Sequence, residues 1–264
     1  MVRTCVVLLV SILLGGSAAA QQFDSQAEHR FVELINQERE RAGVPSLKVD
    51  ERLVKAAREH STRMAQAKTL SHQIGGEPRL SNRLAATGIR FNSDAENVAY
   101  DSEVESAHSG FMHSPGHREN ILSPKYNTVG VGVVRRGDVL WVTEDFANRL
   151  QEYSVDEAEQ TIIAAWQGER RRSRNRPAAV GRVPQLRPLA CAMGNREELN
   201  TRSLLALSSV QSAVAYTESD PAKLPSNAVK KAHDRNVRRI AVGACFADGP
   251  KYPAGVWWVC MVFY

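Results

Sequence analysis

Long apolar runs are absent from this 264-residue chain after its first twenty residues, and aromatic side chains make up only 6% of it. A membrane-spanning helix needs about eighteen consecutive apolar residues, so the sequence predicts no transmembrane segment. Hydrophobic residues account for 43% and charged residues for 24%, a balance that excludes disordered and collagen-like chains. The length predicts one large domain or two small ones.

Several motifs that carry common chemistries are also missing. The sequence has no GxSxG nucleophile elbow, no CxxC pair, no phosphate-binding P-loop, no GxGxxG turn and no HExxH zinc helix. His113 and His117 have the spacing of two metal ligands on one helix, but Pro115 and Gly116 between them break such a helix. The sequence therefore does not predict a zinc protease of that class.

Cysteine is scarce, with four in the whole chain. Cys5 lies in the N-terminal segment, which leaves Cys191, Cys245 and Cys260. An exported protein permits disulfides, and three cysteines allow at most one internal bridge with one thiol left over. The alternative is three buried small apolar side chains, and the sequence does not identify a pair.

The N-terminal segment has the pattern of an export signal. Arg3 precedes an apolar run from residue 5 to residue 14, and Ala18, Ala19 and Ala20 supply the small residues that a signal peptidase recognises. We therefore predict a signal peptide at residues 1–20, cleavage before Gln21, and an extracellular or periplasmic protein that is a monomer.

Apolar spacing in residues 21–150 predicts helices first and a β-hairpin last. A helical period covers residues 25–42, and Asp50 is a suitable N-cap for a second helix. His60 lies on the apolar stripe of that second helix and is expected in the core. Strands follow at 128–134 and 139–147 around a tight turn.

The second half of the sequence restates the first in weaker form. The paired segments occur in the same order: AEHRFVELINQERERAG at 27–43 with AEQTIIAAWQGERRRSR at 158–174, ENVAY at 96–100 with SAVAY at 212–216, GHREN at 116–120 with AHDRN at 232–236, TVGVGVV at 128–134 with AVGACFA at 241–247, and LWVTEDFA at 140–147 with WWVCMVFY at 257–264. This order predicts a duplication, in which residues 21–150 form one domain and residues 151–264 a copy shortened by about fifteen residues in its early part.

Polar chemistry is not repeated between the two copies. On this alignment Glu96 becomes Ser212, Asn97 becomes Ala213 and Glu144 becomes Met261. His233 stands opposite His117 but has no partner acids, so it is expected to be a remnant. Ionisable groups are costly to bury without partners. The first copy is therefore expected to hold the working site.

The formal net charge of +5 is unevenly distributed. Residues 21–150 hold 17 Lys and Arg against 18 Asp and Glu, whereas residues 151–264 hold 16 against 11. Seven of those arginines lie in the segment 169–187, beside one Glu. The excess charge is therefore assigned to an Arg-rich linker at about 169–188, and a nucleic-acid partner is not expected.

Four side chains of the first copy are candidates for a site: His72, Glu96, His117 and Glu144. Two imidazoles and two carboxylates can hold a divalent metal such as zinc, with His72 and His117 as its ligands and an open position for water. The same groups can instead act as an acid/base pair, or form a purely structural hydrogen-bonded cluster. Glu144 and Asp145 alternate along one strand, so at most one of them reaches the site.

The motifs around these residues resemble those of the bacterial branch of the CAP superfamily, which includes cysteine-rich secretory proteins, antigen 5 and plant pathogenesis-related proteins. The resemblance covers about residues 27–148 and rests on FVELINQERERAGVPSLKVDERLVKAAREHSTRMA, the SH step, ENVAY, SPGHRENIL, YNTVGVGV and LWVTEDFA. It implies an α/β fold, an α/β/α sandwich whose cleft is lined by two His and acidic residues. The second copy would then be a degenerate CAP-like domain without a site.

Transferred to this sequence, the resemblance places His72, Glu96 and His117 at three family positions. The acid that eukaryotic members carry just before the second His is absent, since Ser114 stands there. Glu144 stands where bacterial relatives more often have Gln, and it could replace that charge.

Three functions remain open on this evidence. The first is a secreted binding module whose cleft takes a divalent cation and a small lipid, peptide or envelope component without turnover. The second is a metal- or acid/base-dependent hydrolase of envelope polymers, peptides or nucleic acid. The third is an extracellular interaction scaffold whose cleft is inert. The set of His72, Glu96 and His117 without a classical nucleophile favours the first.

Overall fold

The computed structural model describes residues 23–264. The predicted signal peptide at residues 1–20 and its cleavage point before Gln21 lie outside the described residues. Within residues 23–264, no helix has the length and apolar character needed to cross a bilayer.

The first half, called unit 1 here, folds around a four-stranded sheet. Its elements in chain order are α1 (Ser25–Arg41), β1 (Lys48–Val49), α2 (Glu51–Ala67), α3 (Leu80–Ala85), β2 (Phe91–Asp101), α4 (Val104–His113), α5 (Pro115–Leu122), β3 (Thr128–Arg136) and β4 (Val139–Arg149). The strand order is β1-β3-β4-β2, with β1 parallel to β3 and the other neighbours antiparallel. The helices predicted near 25–42 and after Asp50 and the predicted hairpin are all present.

The second half, unit 2, has a sheet of the same order. Its elements are α6 (Val155–Arg172), β5 (Ala179–Val180), α7 (Leu186–Arg196), α8 (Arg202–Leu205), β6 (Ser212–Glu218), α9 (Ser226–His233), β7 (Arg239–Ala247) and β8 (Val256–Phe263). The strand order is β5-β7-β8-β6, again with the short first strand parallel and the rest antiparallel. One helix lies between β6 and β7, where unit 1 has two helices between β2 and β3.

Helices cover both faces of each sheet. In unit 1, Phe31, Phe111 and Ile121 from α1, α4 and α5 pack on one face, called the α1 face, and Leu53 and Leu84 from α2 and α3 pack on the other, the α2 face. In unit 2, α6 and α9 cover one face and α7 and α8 cover the other. Each half is therefore a mixed α/β unit of three layers.

Glycines in the central strands let one helix lie directly on each sheet. A Cβ atom at Gly132 would come within 2.2 Å of the backbone of α2, and a Cβ atom at Gly243 within 2.5 Å of the backbone of α7. Each glycine lies four residues after the first residue that pairs with the short parallel strand. The two glycines therefore hold the same place in the two sheets and permit the same close approach.

A buried arginine performs the same structural task in both units. Arg39 in α1 and Arg170 in α6 are each less than 4% exposed, and each donates hydrogen bonds to four main-chain carbonyls. The acceptors are Pro45, Ile121, Ser123 and Tyr126 for Arg39, and Arg176, Ala232, Asp234 and Val237 for Arg170. Arg170 lies 131 positions after Arg39, and its acceptor Arg176 lies 131 positions after Pro45. The other three acceptors of Arg170 each lie 111 positions after the corresponding acceptor of Arg39.

The Arg-rich segment 169–188 is not an inter-domain linker, so that prediction is wrong. The segment contains the end of α6, all of β5 and the start of α7. Arg170 is buried, while Arg172 and Arg187 form ion pairs with acids on α6. These three arginines belong to the fold of unit 2, because carbonyls and carboxylates of that unit hold them in place.

Strand pairing also corrects the residue equivalences between the two halves. Gly132 and Val98 both pair with Thr143, and Gly243 and Ala215 both pair with Cys260. In this register Ala213 stands in the place of Glu96 and Val214 in the place of Asn97, one residue later than the sequence alignment gave. Met261 stands in the place of Glu144, as the alignment gave.

The equivalence of His233 with His117 is wrong as well. Helix α9 and strand β7 begin 111 positions after α5 and β3. That spacing puts Ala228, which is fully buried, in the place of His117. His233 instead ends α9 on its exposed side.

The cysteine pair left open by the sequence is Cys191 with Cys245, which form a disulfide between α7 and β7. Cys260 is a free, buried thiol in β8.

The two units also contact each other, since Arg90 lies 3.9 Å above the ring of Phe246 and Ala254 packs against the apolar cluster under α3.

Candidate functional site

Most of the candidate polar side chains meet at β2, the edge strand of the first sheet. Side chains alternate along β2, so Glu96 lies on the α2 face and Asn97 on the α1 face. The loop between α2 and α3 approaches Glu96, and helix α5 approaches Asn97. The strand edge therefore carries two groups of polar contacts, one on each face of the sheet.

His72 and Glu96 form a hydrogen-bonded pair on the α2 face. Helix α2 ends at Ala67, and the left-handed conformation of its C-cap residue Lys68 (φ 52°) turns the chain back toward β2. Nδ1 of His72 then lies 2.9 Å from Oε1 of Glu96. The Glu96 side chain is buried, whereas 60% of the His72 side chain is exposed. The hydrogen bond to Glu96 raises the pKa of His72, so the exposed imidazole carries its proton to a higher pH and can donate it to a ligand.

The second carboxylate oxygen of Glu96 is taken by Arg83 from α3. Nη2 of Arg83 donates to Oε2 of Glu96, and Nη1 lies 3.1 Å from the carbonyl oxygen of His72. The same Nη1 is 3.4 Å from Oε2 of Glu77, another buried acid. The Arg83 side chain is only 7% exposed. Glu96 is therefore compensated from inside the protein by a guanidinium and from outside by His72.

His60 is in the core, as the apolar stripe of α2 predicted, and it also supports the site. Its Nδ1 lies 2.9 Å from Oε2 of Glu77, and its Nε2 lies 2.9 Å from the carbonyl oxygen of Ser71. The carboxylate of Glu77 accepts a further bond of 3.1 Å from the main-chain N–H of Ile74. These contacts fix the loop that carries His72.

Asp145, not Glu144, is the strand-β4 acid beside Glu96. The two residues are direct partners in the sheet, so their side chains share the α2 face. Asp145 is fully buried, and burial first and the charge of Glu96 second raise its pKa well above the usual range. Burial thus favours the protonated form of Asp145, which adds no charge to the pair of Glu96 and Arg83.

Glu144 lies on the opposite, α1 face and does not join His72 and Glu96. Asn97 donates from Nδ2 to Oε2 of Glu144 at 2.9 Å and to the carbonyl oxygen of His117 at 3.2 Å. Burial raises the pKa of Glu144 to about 8. Glu144 thus helps to hold the first turn of α5 through Asn97.

His117 completes the site from the first turn of α5. Its ring packs edge-on against Phe111, with the ring centres 5.2 Å apart. Burial first, and then the positive charge of His72, lower the pKa of His117. The pKa of His72 is thus raised and that of His117 lowered, so the two imidazoles are shifted in opposite directions.

Sequence reasoning missed two members of this network, Glu77 and Arg83, and selected Glu144 where Asp145 lies beside Glu96. The alternation of Glu144 and Asp145 was visible in the sequence, but which of the two faces Glu96 depends on the register of β2 and β4. Arg83 lies in a short helix with a weak sequence signal, and nothing local links it to a residue thirteen positions later. These residues become visible only when the strands are paired.

The residues as arranged do not offer a ready site for zinc. Both oxygens of Glu96 already face cationic or imidazole nitrogens, and Arg83 holds a positive charge where a dication would have to bind. Within residues 23–264, no group of three or more His, Cys, Asp or Glu side chains is placed to hold a metal ion. A metal bound by His72 and His117 would need to displace the bond between His72 and Glu96 or use the remaining imidazole nitrogens alone.

Comparisons with known proteins agree on the first half of the chain. The family model described as "Cysteine-rich secretory protein family" (CAP) matches residues 32–146. The uncharacterized protein YkwD of Bacillus subtilis (strain 168) is 34% identical over 126 residues, which are 47% of this chain and 48% of YkwD. The uncharacterized membrane protein YlbC of the same organism is 28% identical over 130 residues, which are 49% of this chain and 36% of YlbC. The chain thus spans less than half the length of both relatives.

Among solved structures, one similar protein is the extracellular protein containing an SCP domain from Bacillus anthracis str. Ames. It is 28% identical with a TM-score of 0.44, and the match covers 47% of this chain and 40% of that one.

Proposed function

Because residues 32–146 belong to the cysteine-rich secretory protein (CAP) family, in its bacterial SCP-like branch, we propose that this chain is an exported binding module. Its ligand contacts His72 and His117 at the edge of β2 and carries a carboxylate or phosphate group. Turnover is not part of the proposed role.

The exposed imidazole of His72 carries this proposal. Its Nδ1 is held by Glu96 while 60% of the side chain is exposed, and the raised pKa lets the ring keep its proton to a higher pH. Burial lowers the pKa of His117, which favours a neutral ring with one donor and one acceptor. Charge-assisted hydrogen bonds to carboxylate or phosphate oxygens are the stronger kind. A fatty acid or a peptide C-terminus would present a carboxylate, and a phospholipid would present a phosphate.

The surroundings of the imidazoles support binding over covalent catalysis. In the part of the chain that the structure describes, no serine, threonine or cysteine side chain is hydrogen-bonded to His72 or His117. Nucleophilic catalysis needs such a neighbour within hydrogen-bond reach of the base. The buried ion pair of Glu96 and Arg83 further favours a fixed binding surface, because it leaves no free carboxylate facing the imidazoles.

Histidine ring resonances followed by NMR would test this role directly. We expect sodium acetate and inorganic phosphate, at ionic strength matched with chloride, to shift the ring signals of His72 and His117 and to raise the pKa of His72. The exposed His29 on α1 serves as an internal control. His72→Gln and His117→Gln should each abolish the response. Equal shifts at all histidines, or none at His72 and His117, would leave an inert cleft, and the interaction-scaffold role would replace this one.

A metal-independent hydrolase is the second candidate. Neighbouring titratable groups whose pKa values are pushed apart are a common arrangement of a general acid and a general base. His72 and His117 have this arrangement. Incubation with cell-envelope polymers, peptides and nucleic acid, with the His72→Ala/His117→Ala variant as control, decides it. Turnover by the parent chain alone would move the protein to the enzyme class.

We further propose that unit 2 is a degenerate CAP-like domain without a site. Its strand order and buried arginine are those of unit 1. A second set of hydrogen bonds is also repeated. The Asn36 side chain forms two hydrogen bonds with the main chain of Leu47, and the Gln167 side chain forms two with the main chain of Ala178. Gln167 and Ala178 each lie 131 positions after their counterparts in unit 1. The residues in the places of Glu96 and His117 are alanines. Such a copy would keep the strand order and the buried arginine of the domain and lose the polar side chains of the site.

A further inference from the structure

An uncovered apolar surface lies at the end of unit 1 that is remote from unit 2. We call it the distal patch and define it by its apolar members Leu70, Tyr100, Val139 and Trp141 and its cations Lys68 and Arg136. These residues, with Ala65, line a shallow cavity of about 430 Å³. Tyr100 is 59% exposed and Leu70 is 43% exposed. The rings of Tyr100 and Trp141 stack with their centres 5.5 Å apart.

The patch exists because helix α2 ends before the sheet does. Tyr100 near the end of β2 pairs with Trp141 near the start of β4, and both side chains lie on the α2 face. Helix α2 ends at Ala67, so no helix covers these two rings. The stacked rings therefore present an apolar surface to solvent, flanked by a cation on the helix end and another on β3.

Unit 2 shows that the fold does not require this exposure. In the strand register Trp258 stands in the place of Trp141 and pairs with Thr217 in the place of Tyr100. Trp258 is only 2% exposed, because Gly194 of α7 and the ring of Tyr252 lie against it. A tryptophan at this position can thus be covered, and in unit 1 it is left uncovered.

The location of the patch favours a broad, flat partner. The interface with unit 2 lies around Phe91, at the start of β2, and the patch lies around Tyr100, some nine residues further along the same strand. The patch therefore lies away from unit 2 and is open to an extended partner surface.

The charges around the patch favour an anionic partner. Lys68 and Arg136 are exposed and belong to the patch lining. Asp101 is turned away, because its carboxylate accepts bonds from Ser102 and Ser106 at the start of α4. Asp138 in the β3–β4 turn opposes the two cations and limits the net charge to a small positive value. Apolar contact therefore supplies most of the attraction and the cations select the headgroup.

We propose that the distal patch binds the surface of an anionic phospholipid bilayer. Exposed Trp and Tyr rings are favoured at the headgroup level, where their apolar bodies meet acyl chains and their polar atoms stay wet. Lys and Arg beside them gain energy from the negative surface potential. A single strand of nucleic acid is the weaker fit, because the two rings already stack on each other and the remaining members are aliphatic.

Tryptophan fluorescence suits the test, because Trp141 is the one tryptophan of four that is not buried. The chain from Gln21 onward is mixed with vesicles of phosphatidylcholine alone or with added phosphatidylglycerol, each with brominated acyl chains as quencher. We expect quenching on the anionic vesicles and a partition constant about five- to thirty-fold higher than on neutral vesicles, falling as salt is raised. Trp141→Phe should remove the quenching while sedimentation with the vesicles persists.

Matched variants decide whether the patch is responsible. Leu70→Ser/Tyr100→Ser should lower partition to the level of neutral vesicles, whereas Leu199→Ser/Leu205→Ser, which changes similarly exposed residues of unit 2, should leave it unchanged. Lys68→Gln should weaken binding, and Lys223→Gln on unit 2 should not. Equal loss in both members of either pair would overturn the proposal, as would sedimentation of the parent chain without quenching of Trp141. Binding to single-stranded DNA with no vesicle partition would assign the surface to polyanions instead.

Discussion

The sheets of units 1 and 2 have the same strand order, but matching positions carry polar side chains in unit 1 and apolar side chains in unit 2. In unit 1 the central positions carry Glu96, Asn97, Glu144 and Asp145, all at most 6% exposed. In unit 2 the same positions carry Ala213, Val214, Met261 and Val262. The apolar set shows that the frame closes without buried acids. The acids of unit 1 are costly to bury and are thus best explained by what they do at the strand edge.

The buried arginines are the part of the comparison where the two units should behave alike. Arg39→Met or Arg170→Met leaves four main-chain carbonyls without their donor, and each unsatisfied buried group costs about 1–3 kcal/mol. We expect each change to lower the free energy of unfolding of its own unit by about 3 kcal/mol or more. Urea unfolding followed by hydrogen exchange, resolved by unit, measures this.

Exposed arginines two residues further along the same helices provide the controls. Arg41→Met and Arg172→Met change side chains that are 69% and 78% exposed, so they should alter stability very little. If only one of the two buried arginines proved important, the shared frame of the two units would be in doubt.

The pH dependence of stability is where the two units should differ. Burial raises the pKa of Glu144 from its ordinary value to about 8. A carboxyl with a raised folded-state pKa stabilises the fold below its unfolded pKa, and this stability is lost as pH rises through the folded pKa. We therefore expect unit 1 to lose up to about 1.4 kcal/mol per pH unit from this group between pH 5 and pH 8.

Hydrogen exchange of strand amides, corrected for intrinsic rates, can follow both units in one sample. The amides of β4 should become less protected as pH rises across this range, while those of β8, where Met261 replaces the acid, should stay constant. Glu144→Gln should make the pH dependence of β4 less steep, and the part that is left is assigned to Asp145, whose pKa is also raised by burial. A pH-dependent β8, or an unchanged slope in Glu144→Gln, would show that other groups control the titration.

Zinc binding has the smallest expected effect on stability and tests the site most selectively. Because Arg83 occupies one oxygen of Glu96, we expect zinc to leave the melting temperature of the parent chain unchanged. Arg83→Met frees that oxygen next to His72, and a tenfold excess of zinc over its Kd should then stabilise the variant by about 1.4 kcal/mol. Arg63→Met, which removes a half-exposed arginine 3.6 Å from Glu77, is the control. Zinc stabilisation of the parent chain would restore the metal site predicted from the sequence.

Much of the frame could be predicted from the sequence, because it depends on local patterns. The helical period of 25–42, the N-cap at Asp50 and the hairpin strands each follow from neighbouring residues. His72 and Glu96 were correctly placed together, through the family resemblance. Glu144 was assigned to the wrong face, because a one-residue change of register reverses the face of every side chain in a strand. The same sensitivity displaced the alignment of β6 by one residue.

The central claim is that the polar cluster of unit 1 serves binding and is not needed for folding. It is tested most directly by the free energy of unfolding of unit 1 in the variant Glu96→Ala/Arg83→Leu/Asp145→Val, which makes these positions of the α2 face apolar and leaves Asn97 and Glu144 on the α1 face unchanged. Glu77 keeps its contacts with His60 and with the main-chain N–H of Ile74. Replacement of a whole buried ion pair by apolar groups is often neutral or stabilising by about 1–4 kcal/mol. We predict a free energy of unfolding equal to or above that of the parent chain. A loss of more than about 3 kcal/mol would contradict the account and make the cluster a structural element of the fold.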